Sequence, residues 1–278
     1  MSYKKILTIQ DISCVGQCSL TVALPILSAC GVETCILPSA VLSTHTAGFN
    51  GFTFRDLTED MPKIKEHWQR EGILFDAIYT GYLGSEKQIE YVKSIITSLE
   101  KEGALTVIDP AMADNGKLYP SFDKSFVQAM KSLCFEYGDV ILPNITEACM
   151  MTDTEYKEVY DEEYIDSLIF KMKEQGAKTI VLTGVGYDAM TTGVIVFENG
   201  EKKYYSHNRI DRVCHGTGDV FASAFVGARM RGEDNYNAAK IAADFTVNCI
   251  EKTADDKSHW YGVKFEIALP ELMDSLNN

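Results

Sequence analysis

Cys214-His215-Gly216-Thr217-Gly218-Asp219 runs straight into an apolar stretch over residues 220–230, and the reading of this junction decides how the rest of the chain is read. Two glycines and a carboxylate stand at the start of a helix. Glycine lets the backbone turn its N–H groups toward an anion without a side chain in the way, and the positive end of the helix dipole adds to the attraction. An aspartate beside a phosphate repels it unless it does chemistry. The chemistry open to it is accepting the proton from an alcohol that attacks a γ-phosphate. The competing reading is a Thr-Gly-Asp helix cap, because Asp is stabilising in a first turn.

Outward from this junction, strands and helices take turns. Short runs rich in β-branched or aromatic residues lie at 6–10, 32–37, 77–80, 105–109, 140–142 and 179–183, with a helix-length segment at 18–30 and helical patterns between most of the others. The alternation predicts right-handed βαβ crossovers and an α/β fold with a mainly parallel sheet covered on both faces. The runs at 194–197 and 202–205 differ, because Asn199-Gly200 joins them and predicts an antiparallel hairpin just before the glycine loop. Two long helices are expected to close the chain, at 235–252 and 264–276. No linker, low-complexity tract or repeat divides the 278 residues, 46% of them hydrophobic, so one domain over 1–278 is expected.

A formal net charge of −14 argues against nucleic-acid and anionic-membrane partners, which both need a basic face. An anionic nucleotide would have to be held by local amides, a few cations and a bound metal. Cysteines 14, 18, 30, 35, 134, 149, 214 and 249 form no CxxC pair and read as reduced thiols. Gln10, Asp11 and Gln17 interrupt the apolar N-terminal region, so neither a signal peptide nor a membrane span is expected, and the location expected is cytoplasmic.

Several polar residues fall at the carboxyl ends of the expected strands, where ligands bind in open α/β sheets. The strand ends carry Asp11, then Gly81-Tyr82-Leu83-Gly84-Ser85, Asp109-Pro110-Ala111-Met112-Ala113-Asp114, Pro143-Asn144-Ile145-Thr146-Glu147 and Thr183-Gly184, and Asp219 faces the same edge. Each has a structural reading of its own: Asp109-Pro110 as a strand exit, Asn144 with Glu147 as a helix-capping pair, and Gly184 as a turn. Together, carboxylates beside a glycine-rich helix start suit Mg²⁺ and a nucleotide, since Mg²⁺ takes one or two carboxylates plus phosphates and keeps its waters.

The chain resembles the ribokinase-like superfamily and, within it, the pyridoxal kinases. The residues that carry the resemblance are Ile6-Leu7-Thr8-Ile9-Gln10, Ser43-Thr44-His45-Thr46, Gly81-Tyr82-Leu83-Gly84-Ser85, Asp109-Pro110, Pro143-Asn144 with Glu147, and Gly216-Thr217-Gly218-Asp219, in that order. The resemblance implies a three-layer αβα fold, transfer of the ATP γ-phosphate to the 5′-hydroxymethyl of a vitamin B6 vitamer, and a homodimer. It also implies that Asp219 is the base and that the amides of Gly216, Thr217 and Gly218 form an anion hole. Asp114 and Glu147 would organise Mg²⁺, supported by Asp109 and Asn144. Thr183 and Gly184 would contact nucleotide phosphate, while His45, Thr46 and Tyr82 would line the pyridine pocket, although His45 also reads as a hydrogen-bonded structural histidine. Whether a monovalent cation assists is open.

Three departures from the pyridoxal kinase pattern bear on substrate. Asp11 stands where a serine is expected and favours a cationic or strongly donating group. Residues 115–119 read as a flexible loop with Tyr119 as a lid over the substrate. Cys214-His215 resembles the hydroxymethylpyrimidine kinases, but those often carry cysteine where this chain has Asp219. The alternatives are therefore a hydroxymethylpyrimidine kinase of the same fold and a vitamer-binding protein without catalysis. A sugar kinase is disfavoured by the missing Gly-Gly segment, and a dinucleotide oxidoreductase by the missing GxGxxG after the first strand.

Overall fold

The structure, a computed structural model, describes residues 3–212 and 214–277. The chain runs β1 (Lys5–Ser13), α1 (Leu20–Ala29), β2 (Glu33–Leu42), β3 (Phe54–Asp56), α2 (Met61–Arg70), β4 (Phe75–Thr80), α3 (Glu86–Leu99) and β5 (Glu100–Ile108). It continues with β6 (Ala113–Asp114), β7 (Lys117–Leu118), α4 (Lys124–Tyr137), β8 (Val140–Ile141), α5 (Ile145–Met151), α6 (Glu162–Glu174) and β9 (Thr179–Val185). The last elements are β10 (Thr191–Glu198), β11 (Glu201–Asn208), α7 (Thr217–Arg231), α8 (Asn235–Thr253), a 3₁₀ turn (Phe265–Ala268) and α9 (Leu269–Ser275).

Nine strands form one sheet in the order β11-β10-β9-β8-β5-β4-β1-β2-β3. The pairs from β9 through β8, β5, β4 and β1 to β2 are parallel, while β10, β11 and β3 run antiparallel at the edges. Such a sheet must be apolar on both faces, and β1 shows how: Ile6 packs into one layer, Leu7 and Ile9 into the other. One layer is built on α1, α7, α8 and α9, the other on α2 to α6, which gives three layers. Helix α7 is buried nearly all round, from Val220 through Ala228, and Gly227 lets it close on α1: a Cβ there would lie 2.4 Å from Cys30 Sγ. That close packing fixes the helix start against the sheet's carboxyl edge.

The expected strands are present, and the Asn199-Gly200 hairpin is β10–β11, with φ of 52° and 84° at its turn. Two expectations change. The closing helix over 264–276 is instead a 3₁₀ turn followed by α9, because Pro270 falls in the first turn of α9, where it lacks an N–H to continue a preceding helix. The loop over 115–119 is not irregular: Asn115 (φ 50°) and Gly116 (φ 75°) close the β6–β7 hairpin, and Gly116 N donates to Thr146 Oγ1 at 3.0 Å.

Candidate functional site

The start of α7 is bare. Gly216 takes a left-handed conformation (φ 74°, ψ 5°) just before it, and no side chain caps the helix, so the first-turn N–H groups have no side-chain acceptor. A Cβ on Gly216 would stand 1.9 Å from the Gln17 carbonyl oxygen, whereas one on Gly218 would meet nothing within 4 Å. Gly216 therefore serves close packing, and Gly218 leaves open space above the amides. That space and those donors suit an oxyanion of a phosphate.

Asp219, in the first turn of α7, is half-buried, and its acid strength is reduced until it titrates at about 7. Burial is the main cause, followed by the charge of Asp109, opposed by the Ser19 N–H; Asp11 adds a smaller repulsion. A carboxylate so placed is a stronger base than a solvated one. If it accepts the alcohol proton, it works only when ionised, so kcat/KM is expected to fall about tenfold per pH unit below about 7. A pH–rate profile flat down to pH about 5 would remove Asp219 from that role.

Asp109 leaves β5 on the same face as Val107, and its Oδ1 accepts from Ala111 N at 3.1 Å. Burial pushes its carboxyl up, and the charge of Glu147 pushes it further. Glu147 is itself raised by burial, yet both its oxygens are engaged by main-chain donors: Oε1 accepts from Met112 N at 3.0 Å and Oε2 from Asn144 N at 2.9 Å. Asn144 Oδ1 completes the capping box by accepting from Glu147 N at 2.9 Å, and its amide donates to the Ala113 carbonyl at 2.8 Å. The capping reading of this pair is thus realised, and it ties α5 to the segment that carries Asp114. Asp114 is exposed and binds Asn115 through its backbone N–H and side-chain amide.

Among the described residues, no three His, Cys, Asp or Glu side chains are grouped to hold a metal. The donor set fits Mg²⁺ all the same, because that ion needs only one or two carboxylates beside phosphates and water. Beyond burial, the charge of Glu147 raises Asp109 and that of Asp114 raises Glu147, and carboxylates that repel one another in this way also favour a cation near them.

On the other side of Asp219 stands a second acid, Asp11, near enough for its charge to act on Asp219. The register of β1 shifts between Gln10 and Ile12, a bulge that re-aims Asp11, which is 5% exposed. Its carboxyl is raised by burial and opposed by the Ser19 and Ser13 hydroxyls; Ser13 Oγ donates at 3.0 Å. Tyr82, half-buried, packs on Phe122 at 5.5 Å between ring centroids. His45 is buried with both ring nitrogens on the main chain: Nδ1 accepts from Ala47 N at 3.1 Å, so Nε2 carries the proton and donates to the Tyr261 carbonyl at 2.8 Å. The ring thus offers a flat face rather than a free nitrogen, among Phe49 and His215, while Thr46 beside it is exposed. Tyr119 meets the acidic side, its phenol raised by burial and then by Glu147, Asp109, Asp114 and Asp219.

Thr183 extends β9 toward this edge, its N–H donating to the Pro143 carbonyl at 2.9 Å, and Gly184 follows in a left-handed conformation (φ 73°). Gly184 borders a cavity of about 340 Å³ whose wall includes His207, Arg209, Ile210, Arg212 and Ile250. No motif in the sequence singled out His207, Arg209 or Arg212. They come from the end of β11 and the segment beyond it, which the hairpin folds back over α8. Arg212 is fixed there by donating to the carbonyls of Thr253, Asp256 and His259. Arg209 and Arg212 supply locally the positive charge that the net charge of −14 denies globally. All eight cysteines are free, and Cys18, beside Asp219 and Asp11, is held protonated by burial and by those two charges.

A mainly parallel sheet whose carboxyl edge carries a bare helix start, a carboxyl raised to about 7 and further carboxylates has the parts a small-molecule kinase needs. The chain belongs to the phosphomethylpyrimidine kinase family, whose model matches residues 24–263, and its fold is ribokinase-like. It is similar to a Bacteroides thetaiotaomicron protein assigned as a phosphomethylpyrimidine kinase, with a TM-score of 0.93 and 36% identity over 98% of this chain and 94% of that one. A second crystal form from that organism, with pyridoxal, gives a TM-score of 0.90. The pyridoxal kinase of Lactobacillus plantarum matches at 0.90 and 30% identity, with 98% of each chain covered. In sequence, the hydroxymethylpyrimidine/phosphomethylpyrimidine kinase of Bacillus subtilis is 26% identical over 77% of each chain. The chain is a kinase of this phosphomethylpyrimidine/pyridoxal kinase group.

Proposed function

We propose that this kinase transfers the γ-phosphate of ATP to the 5′-hydroxymethyl group of a vitamin B6 vitamer. The observation that supports the reading is the Asp219 carboxyl at the uncapped start of α7, raised to about 7 by burial, with Asp109 and Asp11 adding to the rise. The alcohol lies against Asp219, which takes its proton as the oxygen attacks, while the amides of Gly216, Thr217 and Gly218 receive the charge on the transferring group. The nucleotide extends from these amides past Thr183 and Gly184 toward Arg209 and Arg212. Asp109, Asp114 and Glu147 would hold Mg²⁺ and its waters, with the Asn144 N–H fixing one oxygen of Glu147. The ion supplies charge neutralisation at the phosphates.

At the far end, the flat faces of His45 and Tyr82 take the aromatic ring, with Thr46 at the rim. Asp11 accepts from a donor on the ring's polar edge. A B6 ring and an aminopyrimidine both carry such a donor, so hydroxymethylpyrimidine is the second reading, favoured by the family match. The full proposal is one cytoplasmic kinase domain acting as a homodimer. Among the described residues, no helix is long and apolar enough to cross a membrane.

The test is ADP release with Mg-ATP against pyridoxal, pyridoxamine, pyridoxine, hydroxymethylpyrimidine and ribose. Turnover led by a B6 vitamer is expected. Turnover on the pyrimidine alone moves the chain to the second reading, and tight vitamer binding with silence on all five supports a binding protein.

A further inference from the structure

Ser19 immediately precedes α1, where a serine ordinarily caps a helix by accepting from a first-turn N–H. Here its side chain makes no such bond. Its backbone sits at φ 55° and ψ −129°, a conformation that glycine adopts freely and L side chains rarely do, and it is 5% exposed. A residue that gives up its cap and keeps a strained backbone in the protein interior is held there by its surroundings. Those surroundings are two carboxylates. The Ser19 hydroxyl faces Asp11 and the Ser19 N–H faces Asp219, each favouring the ionised form, while a bridge to Ile12 ties the same residue to the bulged end of β1. The strain has a geometric use: it aims N–H and hydroxyl at two different acids at once.

We infer that Ser19 is a positioning residue, whose strained backbone fixes the separation between the base Asp219 and the recognition carboxylate Asp11. The inference rests on the roles proposed for those two acids. A substrate with a donor on one edge of a flat ring and a primary alcohol on another is then measured between them. The alcohol reaches Asp219 in register only when the far edge is seated on Asp11. Ser19 touches neither the reacting oxygen nor the phosphate and acts through the two acids.

Two substitutions separate its two contacts. Ser19→Ala keeps the backbone strain and removes the hydroxyl, so KM for the acceptor rises about fivefold while kcat stays within about twofold. Ser19→Gly removes the hydroxyl and releases the strain, so the melting temperature rises by about 2–6 °C while kcat falls about tenfold or more and KM for ATP is unchanged. A protein that becomes more stable and slower is the signature of strain held for function. The measurements are steady-state kinetics with Mg-ATP and pyridoxal or pyridoxamine, and thermal melts, on the full chain, with Asp219→Asn alongside. An inactive Asp219→Asn together with wild-type kinetics in both Ser19 variants overturns the role of Ser19 alone. A Ser19→Gly protein that melts lower and loses activity only in proportion does the same. An active Asp219→Asn overturns the base reading on which it rests.

Discussion

Asp219→Asn is expected to lose turnover by about 10²–10⁴-fold while the protein becomes more stable. The two effects have one cause. Asp219 titrates at about 7 in the folded chain, against 3.8 for a free aspartate, because burial and Asp109 oppose its charge. A folded-state value raised above the unfolded one means that the ionised group costs stability. The cost begins as pH rises above the unfolded value, grows up to about 7, and is fully present beyond it. Asparagine keeps the shape and removes the charge, so the gain appears at neutral pH and vanishes near pH 4. Its linkage ceiling is about 4 kcal/mol, and solvent screening at this half-buried position leaves about 1–2 kcal/mol. Nucleotide binding is expected to survive, since the amides and the cavity by Gly184 are untouched. Chemical denaturation at two pH values, with turnover and nucleotide titration, reads all three outcomes. Near-normal turnover would remove Asp219 as the base, and a destabilised protein at pH 7 would contradict its burial cost.

The second large effect belongs to a pair of glycines two residues apart. Gly216→Ala places a methyl group 1.9 Å from the Gln17 carbonyl oxygen on a backbone with φ 74°. Main chain cannot yield as a flexible side chain can. The loop must move away from residues 14–19, at a cost of about 2–4 kcal/mol, and the amides it carries move with it. Turnover is expected to fall about 10²–10³-fold, since displacement of about 1 Å is enough for that. Gly218→Ala has space for its methyl group, so the melting temperature should stay within about 2 °C. That space is where the proposed function puts the phosphate, so activity should fall with stability intact. A Gly218→Ala enzyme with normal kinetics would put the phosphate elsewhere.

The elements legible in the sequence are those whose physics is local. Parallel strands buried on both faces announce themselves as short β-branched runs, and their ends carry the site. The same dipeptide is legible in one hairpin and not in the other. Asn199-Gly200 lies between two eight-residue strands and was recognisable, whereas Asn115-Gly116 lies between strands of two residues each, too short to alternate. Ser19 carries no signal in the sequence, and only the fold brings Asp11 and Asp219 to it. Arg209 and Arg212 carry no periodic signal and become a cavity wall through the return of β11. The capping box of Asn144 and Glu147 was readable as a pattern, but not that it engages both oxygens of Glu147.

The most direct test of the central claim is to incubate the protein with Mg-ATP and each B6 vitamer and follow phosphate-ester formation by ³¹P NMR, for the wild type and Asp219→Asn side by side. A new monoester resonance on the 5′-oxygen with the wild type, absent with Asp219→Asn, is the predicted result. No vitamer ester with the wild type, or the same ester from the Asp219→Asn protein at a comparable rate, would contradict it.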